Sequence, residues 1–371
     1  MYTWRFLGRV VLKAAALFVL FNAAFAAGDL PSVLSQISGY NYIFPGRSRF
    51  PFGENQQKAY NLSLNNLNAM FASHEFLDKR NGDSEYRVIL LGDSSVWGTL
   101  LTPDQTLSGQ LNEMRLRYCD GREMRFYNLG YPTLSLTKDV MILAEAMKYK
   151  PDMVIWLVTL ESFVRQNQVE SPLVANNLDR VRELSHRFQL EIDTPLILTE
   201  SNFIDRTIIG RRRDLADLIR LQLFGVMWAA TGIDQEYPET YSPAQRDLES
   251  DEGYYDLRPS EISTDGLAFD VISAGFKIVK DLPVVLVNEP MLISNGKNSD
   301  IRYNFYYPRW AYDGYRKILD DYSRENYLNY YDAWNLISID EFTNSAIHLT
   351  PKGTAQFAQK LKEILADFSC P

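Results

Sequence analysis

Two cysteines and three histidines in 371 residues are too few for a zinc or iron–sulfur framework. None of His74, His186 and His348 stands near a cysteine pair, so neither a metal site nor a cofactor is expected. Basic charge is also short: 38 Lys and Arg face 47 Asp and Glu, a formal net charge of −9. A nucleic-acid partner, which favours a basic footprint, is therefore not expected. No run of like charge is long enough to suggest a disordered tail, and no internal repeat or low-complexity tract is visible. What remains is 46% hydrophobic and 23% charged, a composition that can bury a core. The length suits one large domain or two of about 100–200 residues.

The first 28 residues stand apart. Arg5, Arg9 and Lys13 precede an apolar stretch from Ala14 to Ala27, and such a bias leaves the N-terminus inside and exports the rest of the chain. Ala24-Phe25-Ala26 fits the small-x-small pattern of a cleaved signal peptide. Extension back through Val10-Val11-Leu12 instead gives a short membrane anchor, with Lys13 snorkelling to the interface. Either way the bulk of the protein is expected outside the cytoplasm, anchored to the cytoplasmic membrane or secreted. Residues 29–85 read as a lead-in with one helix near 61–75, in which His74 is a structural residue rather than a ligand.

From 86 to 371 strands and helices alternate. "YRVILLG", "EMRFYNLG", "PDMVIWLVTLES", "LPVVLVNEP" and a short stretch within 327–337 are about five strands. The segments 104–119 and 136–150, and the closing "TPKGTAQFAQKLKEILADF", carry apolar residues at helical spacing. Apolar strands separated by helices indicate a parallel sheet covered on both faces. Between about 164 and 270 the rhythm lapses into a largely helical insertion that caps the sheet without a core of its own. Its apolar "LIRLQLFGVMWAA" either packs on the body or touches a membrane or partner.

In an open parallel sheet, ligands bind beyond the carboxyl ends of the strands. Gly92-Asp93-Ser94-Ser95 sits at such an end, as do 128–133, 159–162 and Asn288-Glu289-Pro290. A serine hydroxyl becomes a nucleophile when a base can take its proton, most often histidine. His348, in a loop before the last helix, should lie on the same edge as Ser94, 254 residues away in the chain.

"GDSS", the Asn-Leu-Gly turn after the second strand and "IHLTPKG" before the last helix together resemble the SGNH (GDSL-type) hydrolase and acyltransferase superfamily, over about 87–163 and 282–368. The resemblance implies a flavodoxin-like three-layer α/β/α sandwich, with Ser94 as nucleophile and His348 as general base. Ser95 is the competing hydroxyl. It places Asp93, Gly130, Thr133 and Glu161 at the oxyanion and substrate positions. Three departures stand out. Ser345 replaces the Asp three residues before the histidine, leaving Asn344 to orient the ring, or Asp340 or Glu341 by a fold-back. Thr133 replaces a glycine, with its backbone N–H still a possible donor. Glu161 replaces an Asn donor, and an ionised carboxylate would repel an oxyanion. In the implied topology the helices before Cys119 and Cys370 share one face, which makes this pair a disulfide candidate.

Residues 302–334 carry twelve aromatics. Those from Tyr303 to Trp310 fall in a loop on the catalytic edge, where they suit a sugar ring or pack internally; those beyond pack on the sheet. The resemblance thus implies an extracytoplasmic serine esterase or O-acyltransferase acting on acyl, chiefly acetyl, esters of a cell-surface polysaccharide. A membrane-bound O-acyltransferase is the partner it suggests. The alternative is a non-catalytic scaffold that holds glycan or that membrane partner.

Overall fold

The computed structural model describes residues 3–28, 33–34, 37–45, 54, 66–72, 74, 85–192, 202–232, 240–241, 243–255, 257–259 and 262–366. Five strands form one parallel sheet: β1 (Glu85–Gly92), β2 (Glu123–Gly130), β3 (Met153–Val158), β4 (Val284–Asn288) and β5 (Asn329–Asp332), in the order β2-β1-β3-β4-β5. Their residues explain the choice. Unbroken apolar runs such as Val88–Leu91 and Met153–Val158 are tolerated only where a sheet is covered on both faces, and both runs are buried throughout. β5, at the edge, is only half buried.

Alternation along each strand sends side chains to opposite layers. On one face Ile89, Leu91, Val154, Trp156 and Leu286 pack against α3 (Leu136–Ala146), α6 (Phe269–Val279) and α7 (Arg309–Glu325). On the other, Val88, Leu90, Ile155, Val285 and Val287 pack against α2 (Leu107–Glu113) and α8 (Pro351–Ala366). The result is a three-layer α/β/α sandwich of flavodoxin-like strand order. The winding reverses between β1 and β3, and that crevice is where such sheets bind ligands.

The helix expected over 104–119 stops at Glu113. Arg115 turns into the left-handed region at φ +47°, and Arg117 then bridges back to Glu123. Cys119 therefore lies in this return loop rather than at a helix end. It is disulfide-bonded. The chain's other cysteine, Cys370, falls outside the described residues, as does most of the 61–75 stretch, of which Leu67–Ala72 is helical.

Between β3 and β4 run α4 (Leu178–Phe188) and α5 (Arg212–Thr231). Val181, Leu184, Leu190, Tyr254 and Leu267 from this stretch join the core that contains β3, so among the described residues the insertion has no separate core. At the other end, α1 (Trp4–Ala27) is 24 residues long with a mean hydropathy of 2.1 over its most apolar window. At about 1.5 Å per residue it is long enough to cross a hydrocarbon layer of about 30 Å. Only Asn22, Phe25 and Ala26, near its C-terminal end, are buried.

Candidate active site

The apolar β1 ends at Gly92, and Asp93 then caps a single helical turn, Ser94–Trp97, by accepting the Ser95 amide at 2.8 Å. This turn lifts Ser94 over the sheet edge at the switch point. β2 holds it from beside: a Cβ on Gly130 would lie 2.3 Å from the Trp97 nitrogen, so only glycine lets the two elements approach this closely. Asn128 adds a bond from its side-chain amide to the Trp97 carbonyl at 3.3 Å.

From the far end of the chain, the loop before α8 delivers His348, whose Nε2 lies 2.8 Å from Ser94 Oγ. Its other ring nitrogen, Nδ1, is 3.2 Å from Asn344 Oδ1. With Nδ1 protonated and donating to Asn344, Nε2 carries the lone pair that can accept the Ser94 proton. Burial lowers the His348 pKa from its ordinary value, and the charge of Asp93 opposes that shift. The ring is thereby kept neutral at neutral pH, as a base must be.

Ser95 is not an equivalent hydroxyl. Its Oγ donates to the carboxyl of Glu289, directly after β4. Nor does a fold-back bring a carboxylate to His348: Asp340 pairs with Arg246 at 2.7 Å, and Glu341 is held by Lys352 and by Thr350 at 2.6 Å. Ser345 lies against the Tyr306 hydroxyl.

The expected oxyanion donors are placed differently. The Gly130 amide donates to Asn128 Oδ1 at 3.0 Å, and the Thr133 amide to the Tyr131 carbonyl at 2.7 Å. Neither N–H is available to a reacting carbonyl, because each closes a turn at the end of β2. The Thr133 hydroxyl donates to Ser171 at 2.9 Å. Among the described residues this leaves the Ser94 amide, which opens its turn where no intrahelical acceptor exists.

Glu161 turns aside. Its carboxyl accepts from Tyr254 at 3.0 Å, from Asn167 at 3.1 Å and from Tyr255. Burial raises its pKa, with the bonds from Tyr254 and Asn167 opposing. Three donors and a raised pKa both reduce the repulsion that a free carboxylate would exert on an oxyanion. The tyrosines come from the end of the insertion, which is tied to the aromatic loop by Arg302 Nη1 donating to the Asp251 carbonyl at 2.8 Å and by Trp310 Nε1 donating to the Glu252 carbonyl at 2.6 Å. In that loop Tyr303 and Tyr307 are buried, whereas Phe305 and Tyr306 each remain 37% exposed.

Beneath Ser94 lies a charged group that sequence reasoning missed. Lys138, fully buried in α3, donates to the Gly92 carbonyl at 2.6 Å and pairs with Asp139 at 2.6 Å. Asp139 in turn accepts from Trp156 Nε1 at 3.1 Å. Burial and the neighbouring Asp93 push Glu289 well up from the usual carboxylate range, while Ser95 and Lys138 oppose. The adjacent Lys-Asp pair inside the apolar "LTKDVMILAEA" was the available signal, since charge on a buried helix needs a partner. Glu54 was also missed: it accepts the Asn128 amide at 2.8 Å and pairs with His74 at 2.9 Å. His74 is thus held in a structural pair. No group of three or more His, Cys, Asp or Glu that could hold a metal occurs among the described residues.

No family model matches the chain, and no curated protein does. Among solved structures, it is similar to a member of the lipolytic G-D-S-L family from Veillonella parvula, at 8% identity, over 76% of this chain and 98% of that one, with a TM-score of 0.35. It is also similar to a carbohydrate acetylesterase family member from Sinorhizobium meliloti, at 10% identity, over 76% and 99%, with a TM-score of 0.33. Likenesses this distant carry no weight beside the geometry.

Proposed function

We propose that the chain is an SGNH-type serine esterase or O-acyltransferase. The observation that supports this reading most directly is the 2.8 Å approach of His348 Nε2 to Ser94 Oγ, with Asn344 behind the ring. A nucleophile, a base and a group that orients the base make up the minimal set for acyl transfer.

Ser94 Oγ attacks the acyl carbonyl while its proton passes to His348 Nε2. The Ser94 amide donates to the developing oxyanion. Collapse expels the alcohol, which takes the proton from His348, and leaves an acyl-serine. A second hydroxyl, from water or from a sugar, gives its proton to His348 and attacks the acyl carbon, and collapse releases Ser94 Oγ, which takes that proton back from His348. Hydrolysis and transfer differ only in that second nucleophile. Asn344 orients the ring but supplies no charge to imidazolium, so proton transfer is slower than with a carboxylate behind the histidine.

The substrate we propose is an acyl, chiefly acetyl, ester of a cell-surface polysaccharide. The partly exposed Phe305 and Tyr306 support it, because aromatic faces can stack on sugar rings and the Tyr306 hydroxyl adds a polar handle. α1, with basic residues ahead of its apolar run, supports a body held outside the cytoplasmic membrane, beside a membrane-bound O-acyltransferase that would supply or receive the acyl group. The engaged amides of Gly130 and Thr133 favour a second reading, a glycan- or partner-binding scaffold that does no chemistry.

Turnover of p-nitrophenyl acetate by the full-length protein separates the two. The enzyme reading expects a rate above background that Ser94→Ala removes while Ser95→Ala retains most of it. Equal rates for wild type and Ser94→Ala refute it.

A further inference from the structure

Large apolar side chains exposed on the body are not scattered. Among the described residues outside α1, most belong to three connected segments. Val33, Ile37, Tyr42 and Ile43 lie on the chain leaving α1; Phe203, Ile204 and Ile209 lie ahead of α5; and Ile219, Leu223, Phe224, Met227 and Trp228 lie on α5 itself. Isolated exposed leucines need no explanation, but a concentration of this kind marks an interaction surface.

α5 has two faces. Gly225 and Ala229 are buried, and the short helix Gly39–Ile43 packs on the helix, with the Gly39 amide donating to Gln222 Oε1 at 2.6 Å. The other face presents Ile219, Leu223 and Met227 at intervals of four residues, 59–60% exposed, with Phe224 and Trp228 beside them. From Leu221 to Ala230 the helix carries no charge. Charge gathers toward its start: "RTIIGRRR", 206–213, which leads into the helix, holds four arginines, of which Arg211 pairs with Asp179 and Asp214, and Arg220 on the helix pairs with Asp217.

Two connections tie this face to α1. The 204–206 turn packs directly against α1. The segment that seats on α5 is also the one that comes after α1 in the chain. The apolar face is thus continuous with the helix proposed to cross the membrane.

We infer that α5 is an interfacial helix, lying in the surface of the same bilayer that α1 crosses, with Ile219, Leu223, Phe224, Met227 and Trp228 among the acyl chains and Arg206, Arg212 and Arg213 against anionic headgroups. An amphipathic helix with aromatic and aliphatic residues on one face and arginines alongside has the composition for this. The inference rests on the reading of α1 as a membrane helix. A single spanning helix leaves the body free to rotate about the membrane normal and to tilt. A second attachment restricts both, and holds the Ser94 edge at a set height and direction for a substrate presented near the membrane.

The test places an environment-sensitive fluorophore on single introduced cysteines of the full-length protein, in proteoliposomes of phosphatidylcholine and phosphatidylglycerol with nitroxide-labelled acyl chains. The positions are Leu223→Cys and Met227→Cys on α5, Leu17→Cys on α1 and Tyr327→Cys, which is 94% exposed on the far loop before β5. All four are surface sites, where substitution rarely affects folding. We expect lipid quenching at 223 and 227 comparable to that at 17, and none at 327. Probes at 223 and 227 that behave like the one at 327 overturn the inference, as does cross-linking of position 227 between two copies without lipid quenching. The probe at 17 separately decides whether α1 is in the membrane, so failure of the anchor and failure of the α5 contact are told apart.

Discussion

Asn344→Asp puts a carboxylate where the structure has a neutral oxygen, 3.2 Å from His348 Nδ1. At that distance a full charge pair is worth about 5 kcal/mol at an effective dielectric of 20 and about 1.3 kcal/mol in water. His348 is largely buried, but Asn344 is exposed and the contact between them faces solvent, so the lower end applies, roughly 1–2 kcal/mol. One pKa unit corresponds to about 1.4 kcal/mol, which makes the expected rise in the His348 pKa about one unit. Because the proposed mechanism turns His348 into imidazolium as Ser94 attacks, the same charge should increase kcat/KM by about three- to tenfold on the alkaline plateau. The assay is p-nitrophenyl acetate hydrolysis from mildly acid to mildly alkaline pH, with Ser94→Ala in the Asn344→Asp background as control. The acidic limb should move to higher pH and the plateau should rise. An unmoved limb with an unchanged plateau would refute the placement of Asn344 behind the ring.

In the proposed mechanism His348 must be neutral to act as base, and burial lowers its pKa below the ordinary 6.5. The kcat/KM profile should therefore hold its plateau down through neutral pH and fall only below about 6.5; a midpoint clearly above that contradicts the burial of His348. Lys138→Met leaves the buried Asp139 without its cation, and losing one partner of a buried pair costs about 3–5 kcal/mol. The denaturant midpoint should drop accordingly and recover in part in Lys138→Met/Asp139→Asn, whereas an unchanged midpoint would refute the pairing. Glu161→Gln should change kcat for the small ester only a few-fold, because the carboxyl already faces Tyr254, Tyr255 and Asn167. A gain or loss of the roughly 10²–10³ expected of a group at the oxyanion would show that it points there instead.

The sheet was legible because its information is local. Val88–Leu91 and Met153–Val158 are apolar at every position, and only a strand covered on both sides satisfies that pattern. The turns were less so. Nothing in "LNEMRLRYC" announces that Arg115 goes left-handed and ends α2 early. Gly130 and Thr133 read as oxyanion donors because their place in the chain is right; their amides are in fact engaged by Asn128 and Tyr131 respectively, and hydrogen-bond partners across a turn leave no trace in spacing. Lys138 and Asp139 were visible as an oddity in an apolar helix, but not as the clamp on the Gly92 carbonyl.

By itself the sequence determined the layered α/β architecture, the apolar leader and the types of residue at the strand ends, since each arises from composition and periodicity within a few residues. Only the tertiary structure decided which of two adjacent hydroxyls meets the imidazole and what Glu161 faces. It also decided which side of α5 stays uncovered. Those are contacts between segments tens to hundreds of residues apart, and their geometry is set by how the layers pack rather than by any local preference of the chain.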